Sequence, residues 1–149
     1  MAAKQDNLLL EKQICFQFYA ASKAITNLYR PLLQPLDLTY PQYLVMLVLW
    51  EEKQVNVKHL GSRLMLDSGT LTPLLKKLQA KKLITRQRSS TDERQLAIAL
   101  TGEGTQLREK AASIPYQLIC SLGLQDRPVE ELKNMFNQIF APLKSIFNE

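Results

Sequence analysis

Cys15 precedes two tyrosines, Tyr29 and Tyr40, and a second cysteine, Cys120, stands late in the chain. A thiol and phenols suit peroxide chemistry. The thiolate is the form that attacks a peroxide, and a free thiol of pKa about 8.5 is mostly protonated in a cell. Phenolic hydroxyls donating to the sulfur would favour the anion. Tyr29 lies fourteen residues after Cys15. In a helix that is about 40° away in phase and about 21 Å along the axis, so the two cannot touch within one helix. They can meet if the helix crosses a copy of itself antiparallel near position 22, where Ala20, Ala21 and Ser22 are small enough for close approach. Tyr40 could then join from the same partner, with Phe16, Phe18 and Tyr19 around the sulfur. The residues leave an alternative open: Cys15 as a small buried hydrophobe, like most free cysteines.

A second group suits nucleic acid. From Lys76 to Arg94 seven cations stand against two anions, a surplus equal to the whole chain's formal net charge of +5. Ser68, Thr70, Thr72, Lys76 and Lys77 fall on the face of a helix opposite its leucines. Hydroxyls there can touch base edges or phosphates, and the lysines neutralise phosphates. Two strand patterns follow, carrying Arg86 and Gln95 with Arg88 just past the first, and Asp92 is placed to orient Arg94 toward a minor groove. The plainer alternative is a solvated basic surface.

These residues need elements to position them. Leu10, Ile14, Phe18, Ala21, Ile25, Leu28 and Leu32 recur at helical steps, predicting one helix over Leu8–Leu33 that Pro35 and Asp37 close. Thr39 and Gln42 form a capping box for a helix whose Tyr43–Trp50 stretch is apolar on every face and should be buried. Asn56 caps a short helix to Leu64. Asp67 or Ser68 opens another, with Leu71, Leu74, Leu75 and Leu78 inward and Pro73 implying a kink or a start delayed to Leu71. Leu83–Gln87 and Gln95–Leu100 alternate as strands around a tip at Ser89–Glu93. Thr101 caps a helix expected to run to about Cys120. Gly123 and Pro128 interrupt, and Val129–Phe147 makes the last helix, with Glu130 and Glu131 in its first turn. The fold class is mainly α: a winged helix-turn-helix with helices at both ends and a small two-stranded β-wing.

Composition narrows the functions. At 149 residues, 46% of them hydrophobic, the chain is a single globular unit with a real core. No apolar run approaches a membrane span, and the N-terminus has no export signal, so a cytoplasmic protein is expected. One histidine and two cysteines do not easily make a zinc site, and no cofactor is expected.

At these motifs the chain resembles a known family. Asp92–Thr101 (DERQLAIALT) with Gly104 is similar to the wing of MarR-type repressors, and Thr70–Leu78 (TLTPLLKKL) to their recognition helix. Asn7–Cys15 (NLLLEKQIC) and Leu38–Trp50 (LTYPQYLVMLVLW) resemble the organic hydroperoxide resistance repressors within that family. One departure is Lys82, where the family usually has glycine before the first strand. The resemblance implies one MarR-type domain over 1–149, with residues 36–104 as the DNA-binding part and 7–34 and 105–149 as dimerisation helices. It implies a homodimer on operator double-stranded DNA, no enzyme activity, and an organic hydroperoxide as inducer. Cys15 would be the sensor, with Tyr29 and Tyr40 of the other subunit bonded to it. Cys120, placed as in the two-cysteine type, would resolve the sulfenic acid into an intersubunit disulfide. The regulated gene would encode a thiol-dependent peroxidase. Rival readings are a repressor released by a phenolic ligand, a thiol peroxidase using Cys15, and a non-specific architectural DNA binder.

Overall fold

A computed structural model describes residues 7–88, 96–124 and 128–144. The expected first helix is divided. Gln13 is extended at φ −85°, ψ 106°, and its side-chain amide donates to the carbonyls of Asn7 and Leu9, at 2.6 and 3.1 Å. A tight turn at Leu10–Lys12 therefore precedes helix α1, Ile14–Leu33, where Leu8–Leu33 was expected unbroken. Of the α1 side chains only Leu33 is buried in the single chain, so most of the apolar stripe lies on its surface or half-covered.

Helix α2, Tyr40–Glu52, has the expected capping box, the Thr39 N–H donating to Gln42 Oε1 at 3.0 Å. It is the centre of the core: Tyr43, Val45, Met46, Val48, Leu49 and Trp50 are buried, while Leu47 is the exposed exception. Trp50 reaches across the fold, its Nε1 donating to the Gly104 carbonyl at 2.8 Å. That close approach fixes Gly104, because a Cβ there would lie 2.1 Å from the Leu83 carbonyl oxygen.

Helices α3, Val57–Leu64, and α4, Ser68–Ala80, form the helix-turn-helix. Asn56 Oδ1 accepts from the His59 N–H at 2.7 Å and caps α3. Asp67 caps α4, which starts at Ser68 and runs on through Pro73; the delayed start at Leu71 does not occur. Leu60, Leu71, Leu75 and Leu78 pack inward against α2. Burying a leucine in this way contributes about 1.5–3 kcal/mol, which is why this face sets the pose of α4.

The sheet has one strand more than the two expected. Strand β1, Gln54–Asn56, pairs antiparallel with β3, Leu96–Leu100, whose other edge pairs with β2, Ile84–Arg88. A three-residue strand carries too little alternation to be read from sequence, and it is defined by the ladder that β3 offers it. Lys82, in place of the family's glycine, still takes the left-handed turn at φ 59°.

Thr101 caps α5, Gly102–Ala111, but the expected single helix to Cys120 is two. α5 ends at Ala111, and α6 spans Ile114–Ser121. Pro115 is the cause: it has no N–H for the Ala111 carbonyl, and its ring crowds the preceding turn. Gly123, at φ 64°, terminates α6, and α7 covers Val129–Lys144 with Glu130 and Glu131 at its start. Phe18 meets Phe140 edge-on at 5.7 Å, so α7 returns against α1.

Candidate functional site

Cys15 lies in the first turn of α1 and is exposed in the single chain, as is Cys120 near the end of α6; both are free thiols. Cys15 is therefore not buried in its own subunit. Phe16 and Phe18 beside it are half-buried, and Tyr19 is exposed, its ring 6.3 Å from that of Phe16.

Tyr29 and Tyr40 meet each other within one chain. Their ring centroids are 4.5 Å apart, and Tyr43 lies 5.7 Å from Tyr29. Tyr29 comes from the last turns of α1, and Tyr40 is the first residue of α2, brought back by the turn at Gln34–Asp37. Burial, then the neighbouring Tyr40 and Tyr43 phenols, push Tyr29 up to about 12. Burial also raises Tyr40, and burial followed by Tyr40 raises Tyr43. All three phenols remain protonated at neutral pH and can donate an O–H. The sulfur of the same α1 is about 21 Å distant along the axis.

Two contributors escaped the sequence reading. Tyr43 is the third ring of the stack. Tyr116 lies one helical turn before Cys120, and that neighbouring sulfur raises its phenol above the usual range. The spacing of four residues on one helix was the available signal.

The α4 face is built as expected. Ser68, Thr70, Thr72, Lys76 and Lys77 are all exposed, with the leucines behind them. Asp67 accepts from the Thr70 backbone N–H at 2.9 Å and from its hydroxyl at 2.8 Å, which holds the carboxyl below the usual carboxylate range. The Thr72 hydroxyl donates to the Ser68 carbonyl at 2.8 Å. Both threonine hydroxyls have committed their protons to their own helix, so they face a ligand as acceptors. The first turn of α2 (Thr39, Pro41, Gln42) lines one groove with Thr70, Pro73, Leu74 and Lys77 of α4. Tyr40 and the reading helix thus adjoin the same turn.

On the sheet, Arg86 is half-buried opposite Ile98, with its Nε shielded from solvent and lacking a hydrogen-bond partner among the described residues. Arg88 ends β2. Asp92, Arg94 and Gln95, with the Ser89–Glu93 tip, lie outside the described residues. Among those described, no three His, Cys, Asp or Glu side chains are grouped to hold a metal ion. No helix there is long and apolar enough to cross a membrane.

Residues 27–111 match the model of the transcriptional regulator SarA/Rot family. The chain belongs to this family of MarR-like winged-helix transcriptional regulators. It is a DNA-binding transcriptional regulator. It is 46% identical over 146 residues to the organic hydroperoxide resistance transcriptional regulator of Bacillus subtilis, covering 98% of this chain and 97% of that one. It is 52% identical over 142 residues to the regulator TtmR of Methylorubrum extorquens, covering 93% of this chain and 73% of that one. Among solved structures, reduced AbfR bound to DNA superposes with a TM-score of 0.77 at 36% identity, covering 96% and 98% of the two chains. AbfR, from Staphylococcus epidermidis, has also been solved in a disulfide form, which superposes with a TM-score of 0.62 at 35% identity over 93% and 98%.

Proposed function

We propose that the chain is a homodimeric, peroxide-sensing repressor that binds a pseudo-palindromic operator when reduced and leaves it when an organic hydroperoxide oxidises Cys15. The observation that carries this reading is the pairing of Tyr29 with Tyr40. Two protonated phenols stand 4.5 Å apart, at the opposite end of α1 from the cysteine they would serve. A second copy, its α1 antiparallel to the first, would bring its Cys15 sulfur to them. The exposed apolar side chains of α1 and α7, Ile14, Met135, Phe136 and Ile139 among them, give that copy a surface to cover. Organic hydroperoxide resistance in the Bacillus relative and the reduced and disulfide forms of AbfR support the same reading.

The chemistry balances in two steps. The Cys15 thiolate attacks one peroxide oxygen, an S–O bond forms as O–O breaks, and the alkoxide leaves as an alcohol after taking a proton. The thiolate of Cys120 of the partner subunit then attacks the sulfenic sulfur, forming S–S and expelling hydroxide, which leaves as water. A disulfide requires Cα atoms within about 7 Å, so α1 and α6 of the two subunits must shift together. The first turn of α2 moves with Tyr40 and borders α4, so the shift changes the spacing of the two reading helices against the operator.

A non-reducing gel after mild treatment with an organic hydroperoxide tests this directly. Wild type should give a covalent dimer that both Cys15→Ser and Cys120→Ser abolish, and Cys15→Ser should stay on the operator in peroxide. A Cys15→Ser variant that peroxide still releases would refute the reading and favour a ligand-gated repressor. Repeated turnover of peroxide with a thiol reductant would instead revive the thiol peroxidase.

A further inference from the structure

The reaction at Cys15 needs a proton as well as a stabilised sulfur. Alkoxide is a poor leaving group, so breaking the O–O bond is fast only when the departing oxygen is protonated as it leaves. Tyr29 and Tyr40 donate to the sulfur in the proposed dimer and are occupied there. Their raised pKa values also make them reluctant acids.

On α1 a different pair stands in line with the cysteine. Cys15, Tyr19 and Lys23 follow at intervals of four residues, on one face of the helix. Side chains in a helix lean toward its N-terminus, so Lys23 leans over Tyr19 and Tyr19 leans toward Cys15. The Lys23 ammonium donates to the Tyr19 hydroxyl at 3.1 Å and lies 5.1 Å from the centre of its ring. Receiving that charged hydrogen bond leaves the hydroxyl proton free to point elsewhere and makes it a stronger donor. No carboxylate shares this face to neutralise the ammonium, since the other α1 residues from Ile14 to Leu33 include no Asp or Glu.

From this we infer that Tyr19 is the proton donor to the departing alkoxide and that Lys23 positions and recharges it. The inference rests on the peroxide-sensing reading and adds two residues to it. As the Cys15 thiolate takes one peroxide oxygen, the other leaves as alkoxide and collects the Tyr19 hydroxyl proton. Lys23 returns a proton to the tyrosinate and is itself reprotonated by water. Two electrons pass from sulfur to the O–O bond, and the products are sulfenic acid and an alcohol. Tyr19 would be a catalytic residue, and Lys23 a positioning residue.

The test separates proton delivery from thiolate formation. In a Cys120→Ser background, the full chain carrying Lys23→Met, Lys23→Arg or Tyr19→Phe is treated with tert-butyl hydroperoxide, with peracetic acid, and with iodoacetamide. Cys15 modification is followed by mass. Lys23→Met and Tyr19→Phe should slow the reaction with the hydroperoxide roughly a hundred-fold or more, the scale of a lost general acid. Lys23→Arg should restore most of it. Peracetic acid, whose carboxylate leaves without a proton, and iodoacetamide should react within about two-fold of the unmutated rate. Unchanged hydroperoxide rates in Lys23→Met would overturn the inference, as would equal losses with all three reagents. Failure of Cys15 to react with the hydroperoxide even when Tyr19 and Lys23 are intact would overturn the sensing function beneath it.

Discussion

Tyr29 is where a single residue links stability to the proposed chemistry. Its hydroxyl is neutral in the fold up to about pH 12, against an ordinary value of 10.0, chiefly because burial disfavours the phenolate. A group whose folded pKa is raised contributes stability below its unfolded value and loses it as the pH climbs through the folded one. The domain should therefore weaken between about pH 10 and about pH 12. Tyr29→Phe, which cannot ionise, should show a shallower loss, with Tyr40 and Tyr43 supplying what slope remains. Urea midpoints of the two proteins at about pH 9 and about pH 11 check this, and parallel curves would refute it. Much at this scale was legible in advance: cysteine and tyrosines were singled out by type, and the rise along a helix alone separated Cys15 from Tyr29. The stacking of Tyr43 on that pair was not legible, because it depends on the angle at which α2 returns beside α1.

Among the elements, the junction of α2, α5 and the β2 turn is the least forgiving. Gly104 brings α5 against the Leu83 carbonyl, and Trp50 bonds to the Gly104 carbonyl at 2.8 Å. Gly104→Ala would force backbone against backbone, so a loss of about 1–3 kcal/mol or more is expected. It should read as a lower urea midpoint with unchanged slope, together with weaker operator binding as α4 loses its support. A variant as stable as wild type would show that this contact relaxes freely. Elements with strong local signals formed where sequence placed them, as the caps at Thr39, Asn56, Asp67 and Thr101 show. The exceptions had competing local chemistry. Gln13 folded its amide back on Asn7 and Leu9 and delayed α1, and Pro115 divided the helix expected to run from Thr101 to about Cys120.

For the whole molecule, the exposed apolar residues gather chiefly on the N-terminal segment, α1, α6 and α7, while α4 exposes Lys76 and Lys77. The first suits a second copy, the second a polyanion. Lys76→Gln and Lys77→Gln should weaken operator and random duplex alike, each lowering the slope of log affinity against log salt by about 1. Thr70→Val, which removes an acceptor, should act on the operator more than on random duplex. Fluorescence anisotropy across a salt series distinguishes the two, and an unchanged slope in both lysine variants would remove α4 from the phosphate contacts.

The chain's own residues determined the winged helix-turn-helix and the hydroxyl-and-lysine face of α4. Both are written in local patterns: periodicity, caps and charge runs act over a few residues and survive without knowing the neighbours. The tertiary structure decided the third strand, the division of the helix after Thr101, the phenol stack, and the placing of Tyr40 on the same turn that borders α4. Those depend on which distant segments pack side by side, and a partner that arrives from elsewhere in the chain leaves no periodic trace where it lands.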